Sequence, residues 1–437
     1  MNSKTASAFV SLIVFAVTYA NRPAMILTDD AVPQMFIPWM VLRGHGGDFA
    51  PVIARYGEPN APLKPYLTRV GDRVLSIYPY ASAWLPLPIS LSQFLYLDLA
   101  QPGWDRGGDG LLRGLSRVGK TTSAVVVAIT AFLLHRLLIA WGFAGWSIPA
   151  TLVGVLGSNL WMIASQATWQ HGPAALCLTA SLLALSPSNG DKPGRLRMTV
   201  AGLFAALLAA VRVPDALLSL VLAIIAIRLP HRGWFFIFPA LVGTALVAWN
   251  LSTFGHLLGG QSLLAGQVAA THQVEWWNPY KWAEGILGTL ISPNRGLLVF
   301  SPWCLTVAVA CWACDIDWRA RWSALGLGAF WLMVGSYPAW WAGHCFGPRY
   351  WTEAMPLFAA PLAWTFRWAW RKSSIVLGAL TIACIWSIGV QMIGALYYPS
   401  TWNMDPVNVD LAHDRLWDWR DTELWRCLTH PYRPGQP

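Results

Sequence analysis

Five groups of polar residues interrupt an otherwise apolar chain, and their types limit the chemistry open to it. The first is Asp29-Asp30, which closes the run Ile26-Leu27-Thr28. A carboxylate at such an edge can take a proton from a hydroxyl nucleophile, or it is simply the polar end of a helix. The second group holds Gly47-Asp48-Phe49-Ala50-Pro51, Lys64, Arg69 and the stretch from Gly71-Asp72-Arg73 to Ser76-Ile77-Tyr78-Pro79-Tyr80. Lys64 and Arg69 could hold a phosphate through charge-assisted hydrogen bonds, or meet anionic lipid head groups. Tyr78 and Tyr80 stand beside them as candidate substrate contacts. The third group is Gln166-Ala167-Thr168-Trp169-Gln170-His171-Gly172-Pro173. Gln170 is a candidate substrate contact, and His171 either shuttles a proton, binds phosphate or acts as a structural donor. In the fourth, Ser292-Pro293-Asn294-Arg295-Gly296, an arginine among apolar residues needs a partner. The fifth runs from Trp340-Trp341 through His344 to Phe346-Gly347-Pro348-Arg349-Tyr350-Trp351-Thr352-Glu353. Arg349 and Glu353 lie four apart at a helix start, a spacing that shares a helix face. They form an internal ion pair, or Arg349 is left for phosphate.

Soluble-enzyme motifs do not compete with this reading. HExxH and GxSxG are absent. Gly114 to Gly119-Lys120-Thr121 matches a phosphate-loop spacing, but no strand precedes it and an apolar helix follows. Cys311 and Cys314 form a C-x-x-C, and two ligands do not make a zinc site. Cys345 and Cys427 fall on the same side of the topology below and are candidates for a disulfide, subject to geometry.

The elements that must position these groups are apolar. Of 437 residues, 55% are hydrophobic and 12% charged, about half the charge of a soluble domain, and the mean hydropathy is +0.44. Tryptophan, at 28 residues, suits a membrane-interface belt, and clusters such as Trp276-Trp277 and Trp340-Trp341 also suit sugar faces. The net charge of +9 is explained by basic loops rather than by nucleic acid. A membrane-crossing helix needs roughly 20 apolar residues, which predicts eleven spans: 6–27, 118–140, 146–165, 172–187, 198–213, 215–229, 233–253, 284–310, 322–340, 354–367 and 373–396. The first is read as an uncleaved span rather than a signal peptide. With the N-terminus cytoplasmic, every inner connection is basic: Arg136, then Lys192, Arg195 and Arg197, then Arg228 and Arg232, then Arg319 and Arg321, then Arg367, Arg371 and Lys372. The outer regions are then a long loop, 28–117, with helices at the interface or re-entering across 80–98, three shorter loops, and a tail from 397. The chain reads as one membrane domain.

Taken together, the groups resemble polytopic glycosyltransferases of the GT-C fold, the superfamily of protein O-mannosyltransferases and lipid A aminoarabinose transferases. The resemblance rests on Asp29-Asp30, the Ser76-x-Tyr78-Pro79-Tyr80 run, Trp169-Gln170-His171-Gly172-Pro173 and Val211-Arg212-Val213-Pro214. It also draws on Pro293-Asn294-Arg295-Gly296-Leu297, Phe346-Gly347-Pro348-Arg349-Tyr350, and the tail from Trp402-Asn403 to Arg415-Leu416-Trp417-Asp418-Trp419-Arg420-Asp421. It implies an all-α polytopic bundle in a bacterial inner membrane with its catalytic face periplasmic. It also implies a polyprenyl-phosphate sugar donor, inversion at the anomeric carbon, and Asp29 or Asp30 as base. The acceptor is a glycan, lipid or protein. The family commonly carries a second acidic residue in the next outer loop, where this chain has Gln166, Gln170 and His171. No residue here is assigned to a metal, and use of a divalent ion stays open. A transporter of lipid-linked sugars and a non-catalytic assembly protein of the same fold are the rival readings. Inverted repeats and mid-membrane polar residues would mark the transporter.

Overall fold

The computed structural model describes residues 3–21, 28–57, 61–187, 191–272, 278–312 and 318–431. Among the described residues the regular structure is helical apart from one hairpin. Chain order begins with α1 (Ser3–Ala20), α2 (Val32–Leu42), α3 (Ala50–Tyr56), strands β1 (Leu67–Val70) and β2 (Arg73–Ser76), α4 (Ala81–Trp84), α5 (Leu87–Ala100) and α6 (Gly108–Ala140). It continues with α7 (Ser147–Leu156), α8 (His171–Leu185), α9 (Arg195–Val211), α10 (Ala216–Ile227), α11 (Ile237–Phe254), α12 (Gly260–His272), α13 (Pro279–Ile291), α14 (Leu297–Phe300) and α15 (Thr306–Trp312). Last come α16 (Trp318–Gly335), a 3-10 helix at Arg349–Phe358, α17 (Ala359–Lys372), α18 (Ser374–Tyr397) and α19 (Glu423–Thr429).

The eleven predicted spans are not eleven long apolar helices. Among the described residues, four helices are long and apolar enough to cross a membrane: Ser3–Ala20, Gly108–Ala140, Arg232–Phe254 and Ser374–Tyr397. The remaining runs are shorter or broken. The 146–165 run divides at Gly157 between α7 and a five-residue π-helix. The 284–310 run breaks at Ser292-Pro293 and again at Ser301-Pro302, since proline cannot donate within a helix. An apolar window counts burial and span alike, and α8 shows the difference: thirteen of its 15 residues are buried inside the bundle. At 1.5 Å per residue such a helix covers only about 22 Å. The last six residues of the predicted first span lie outside the described residues.

The two largest of four apolar cores among the described residues organise the molecule. The larger joins α6, α7, α8, α9, α10, α17 and α18. The second belongs to residues 31–118 and uses Ile37, Trp39 and Met40, Phe49 and Val52, Leu67 and Val74, Phe94 and Leu97, and Leu111 and Leu115. The 28–117 region, predicted as loops with interfacial helices, is thus a packed lobe. The 33-residue α6 is about 50 Å long, well beyond a roughly 30 Å hydrocarbon core, and its first turns carry the lobe. α5 lies against it through Ser90 and Gln93, which meet Thr122 Oγ1 at 3.1 Å each. Arg43 closes the lobe by pairing with Asp98 at 2.6 Å and Asp105 at 2.7 Å. The hairpin turns through Gly71, at φ +58°, where a left-handed residue matches the strand twist.

The basic connections gather at the end away from the lobe. Arg136 donates to Ser3 Oγ, Trp141 to Ser186 Oγ, Arg197 to the carbonyls of Leu183 and Ser186, and Arg367 lies over Phe143. Lys120 sits inside α6, not in a phosphate loop. Its ammonium donates to Gln166 Oε1 at 2.7 Å and Asn21 Oδ1 at 2.8 Å, tying α1, α6 and the loop before α8.

The lobe meets the bundle tightly at Gly260, where an added Cβ would stand 2.1 Å from the Ile77 carbonyl oxygen. Gly260→Val is expected to destabilise the chain by about 1–3 kcal/mol, while Gly266→Ala, inside α12 with open space at its Cβ, is expected to stabilise it by up to about 1 kcal/mol. Thermal unfolding in detergent compares the two.

Candidate functional site

The first and fifth sequence groups meet where the lobe joins the bundle. A turn at Thr28, whose carbonyl accepts from the N–H groups of Ala31 and Val32, presents Asp29 and Asp30 before α2. Thr168 Oγ1 donates to the Ala31 carbonyl and holds that turn against the third group. From the other side, Gly347, at φ +62°, turns the chain into the 3-10 helix that starts at Arg349. Arg349 Nη1 donates to Asp30 Oδ2 at 3.0 Å. Its guanidinium lies 4.7 Å over the Trp169 ring and 5.6 Å from the Tyr350 ring centre. Asp29 is left out of that pair. Burial and its neighbour Asp30 push its carboxyl above the ordinary value, and His344 and Lys64 pull it part of the way back. Tyr78 lies within electrostatic reach of Asp30, Arg349 and Asp29. Asp30 and Arg349 are thus in contact, Tyr78 lies within electrostatic reach of both and of Asp29, and Lys64 and His344 lie within reach of Asp29.

Arg349 and Glu353 do not pair, because their spacing acts differently here. Residues 349–358 form a 3-10 helix, with three residues per turn, so positions four apart point about 120° away from each other. Glu353 faces into the bundle instead. Its Oε2 meets His171 Nδ1 at 2.5 Å and its Oε1 pairs with Arg212. Arg212 also reaches Asp215 Oδ1 at 3.2 Å and lies over the opposite partner of Arg349, the Tyr350 ring, at 5.3 Å. His171 and Glu353 are thus partners inside a buried charge network beneath the first group. Gln170 is buried at the start of α8, where its carbonyl accepts from the Ala174 N–H.

Two predicted contacts are committed elsewhere. Arg295 is 2% exposed. It pairs with Glu423 Oε1 at 2.6 Å, donates to the Trp341, Asn294 and Gly343 carbonyls and to Asn403 Oδ1, and stacks over Trp402. It locks the C-terminal tail to the break after α13, with no donor face turned outward. Arg69 is exposed on β1, where β pairing sets it opposite Val74, away from the group. Tyr80 is a pin of the lobe: its hydroxyl donates to the Gly47 carbonyl and accepts from the Ser76 N–H. His344 contacts Asn408 Oδ1 at 2.9 Å and Asp410 Oδ2 at 3.3 Å. Cys345 and Cys427 are both buried and form no disulfide. The Cys311–Cys314 pair falls on residues whose side chains are not described.

Tyr78 also lines a cavity of about 650 Å³, whose charged lining residues are Asp48 and Arg73. The lobe supplies Leu75, Tyr78, Tyr80 and Trp84, the end of α9 supplies Ala210, and α11 supplies Trp249 and Phe254. Tyr78 is shared between cavity and ionic group. Among the described residues, no cluster of three or more His, Cys, Asp or Glu is arranged to hold a metal ion. Sequence reasoning passed over Trp169, Arg212, Asp215 and Tyr350 as site residues. The visible signal was an Arg-x-x-Asp inside an apolar stretch, since an intramembrane charge requires a partner. No protein-family model, curated protein or solved structure matches this chain.

Removing one member of the Arg295–Glu423 pair leaves the other charge buried. Arg295→Met and Glu423→Gln are each expected to cost about 3–5 kcal/mol, and the double variant less than their sum, as a denaturant double-mutant cycle reads out. The Asp410 contact raises His344 above its ordinary 6.5, so its stabilisation is complete below that value and is lost as pH rises through the higher folded-state value. The thermal midpoint gap between wild type and His344→Gln is therefore larger at about pH 5.5 than at about pH 8.5.

Proposed function

We propose that this chain is a membrane glycosyltransferase of GT-C type, which moves a sugar from a polyprenyl-phosphate donor to a hydroxyl acceptor with inversion. The observation that carries the reading is one carboxylate, Asp29, left outside the Asp30–Arg349 pair and within electrostatic reach of Tyr78, which lines a cavity between the lobe and an apolar helix. Only 6% of the most apolar window of the Arg232–Phe254 helix is buried. A substrate with a hydrocarbon chain can therefore reach the cavity from the lipid side. Asp29 takes the acceptor hydroxyl proton, and the resulting oxygen attacks the anomeric carbon on the face opposite the phosphate. The bond from that carbon to the phosphate oxygen breaks, and its electron pair leaves with the polyprenyl phosphate. Arg349, with Lys64, meets the departing negative charge, which is where fixed positive charge lowers a barrier most. The basic connections at the far end support a cytoplasmic placement of that end, with the lobe and the site facing the periplasm of a bacterial inner membrane.

The second reading, a transporter for lipid-linked sugars, is favoured by one feature: the buried His171–Glu353–Arg212–Asp215 chain resembles a proton relay. The two separate in a transfer assay. The purified chain is incubated with a radiolabelled polyprenyl-phosphate sugar and membrane acceptor extract, beside Asp29→Asn. The expected result is transfer by wild type and a loss of about 10²–10⁴-fold in kcat for Asp29→Asn. Because the base acts deprotonated and its carboxyl lies above the usual 3.8, wild-type kcat/KM falls on the acid side at a pH above that value. Donor binding without transfer by either form supports the transporter and contradicts the transferase.

A further inference from the structure

We infer that Asp30 is an intramolecular competitor for the anion site: it occupies Arg349 until a donor phosphate displaces it, so that the donor binds before the site is competent. The inference rests on the reading of Arg349 as the phosphate cation, and it adds an order of events to that reading.

Three observations carry it. First, the pair is monodentate. Arg349 reaches Asp30 through Nη1 alone, at 3.0 Å, while its buried Nε finds no acceptor. The Trp169 indole N–H beneath the guanidinium is also buried without an acceptor. Arginine pairs best through two parallel N–H donors, and a buried donor without a partner carries a cost. The donor's phosphodiester, with two terminal oxygens, can satisfy more of these donors than the single oxygen that Asp30 supplies, and the departing monoester, with three, more again. Second, the pair is reachable. The Arg349 and Asp30 side chains keep 12% and 17% of their surface exposed, unlike the Arg295–Glu423 pair at 1% and 0%, whose partners cannot exchange without opening the core. Third, the rest of the arginine is anchored. Trp169 and Tyr350 hold the guanidinium plane, and the Thr28–Val32 turn leaves Asp30 on a short connection before α2. When the anion arrives, Asp30 is the partner that is free to turn away.

The exchange has a consequence for Asp29. Asp30 raises the carboxyl of its neighbour while both sit in one turn. Moving Asp30 off Arg349 keeps both carboxylates beside the acceptor hydroxyl only while donor phosphate neutralises Arg349. In this structure Arg349 is therefore neutralised from within the chain, by Asp30.

The test measures the affinity of farnesyl phosphate for the detergent-purified full chain. Asp30→Asn removes the competing charge and is expected to tighten binding about fivefold, the worth of a partly exposed ion pair. Arg349→Ala is expected to abolish binding. Unchanged or weaker binding by Asp30→Asn overturns the inference and leaves Asp30 a structural residue. Retained binding by Arg349→Ala instead overturns the phosphate assignment on which the proposed function stands. Should Asp30→Asn not fold, Asp30→Ser removes the charge with a smaller side chain and is read by the same criteria. Initial-rate kinetics give a second readout that a merely structural role would not move: wild type shows donor-first ordered binding, and Asp30→Asn relaxes towards random order.

Discussion

Arg212, Arg295 and Arg349 sit largely inside an apolar bundle, and each is obliged to find a carboxylate. That requirement sets how the parts of this molecule fit together. A buried cation without a partner is prohibitively costly, so each arginine draws a distant segment to itself. Arg349 joins the start of the lobe to the 3-10 helix through Asp30. Arg212, at the break between α9 and α10, joins it to the same 3-10 helix through Glu353. Arg295, at the break after α13, fastens the tail through Glu423. All three lie where helices end, because a break in regular structure frees carbonyls and space that a continuous apolar helix would deny them.

The three pairs are not equivalent, and the difference separates architecture from chemistry. Arg295 is saturated with partners and sealed. Arg212 divides its charge between two fully buried carboxylates, Glu353 and Asp215. Of the three, Arg349 keeps an unsatisfied donor, its Nε, and it stands beside a carboxylate, Asp29, that has no arginine of its own. The cavity against α11 is linked to this third pair through Tyr78, which lines it. A lobe with its own core, carried on the overlong α6, brings that residue into place. The Gly260 contact with Ile77 holds the lobe close enough for it to matter.

Much of this was legible in the sequence, and the failures have physical causes. The apolar composition and the basic connections are local properties, so they survive in a linear reading. So do the polar groups, including Asp29-Asp30 and Arg349, because polar residues stand out against an apolar background. Pairing does not survive. The partner of Arg349 is 319 positions away, and nothing local marks it. The Arg349–Glu353 spacing was misleading because it assumed 3.6 residues per turn in a segment that has three. Arg295 read as a ligand contact because the tail that satisfies it comes more than a hundred residues later. The eleven spans reflect the same limit: apolar runs such as the one at α8 are apolar because they are enclosed by other helices, which a hydropathy window cannot distinguish from lipid exposure. The lobe core was hidden because it is assembled from single residues of short elements, with no long periodic run.

The central claim is that Arg349 is the cation of a site for a polyprenyl phosphate. Native mass spectrometry of the chain released from lipid particles made of bacterial membrane tests it most directly. The account predicts a bound polyprenyl phosphate, with or without its sugar, on the wild type, and its loss from Arg349→Ala while ordinary phospholipid adducts persist. A wild type carrying phospholipid alone, or a polyprenyl adduct that survives Arg349→Ala, would contradict it.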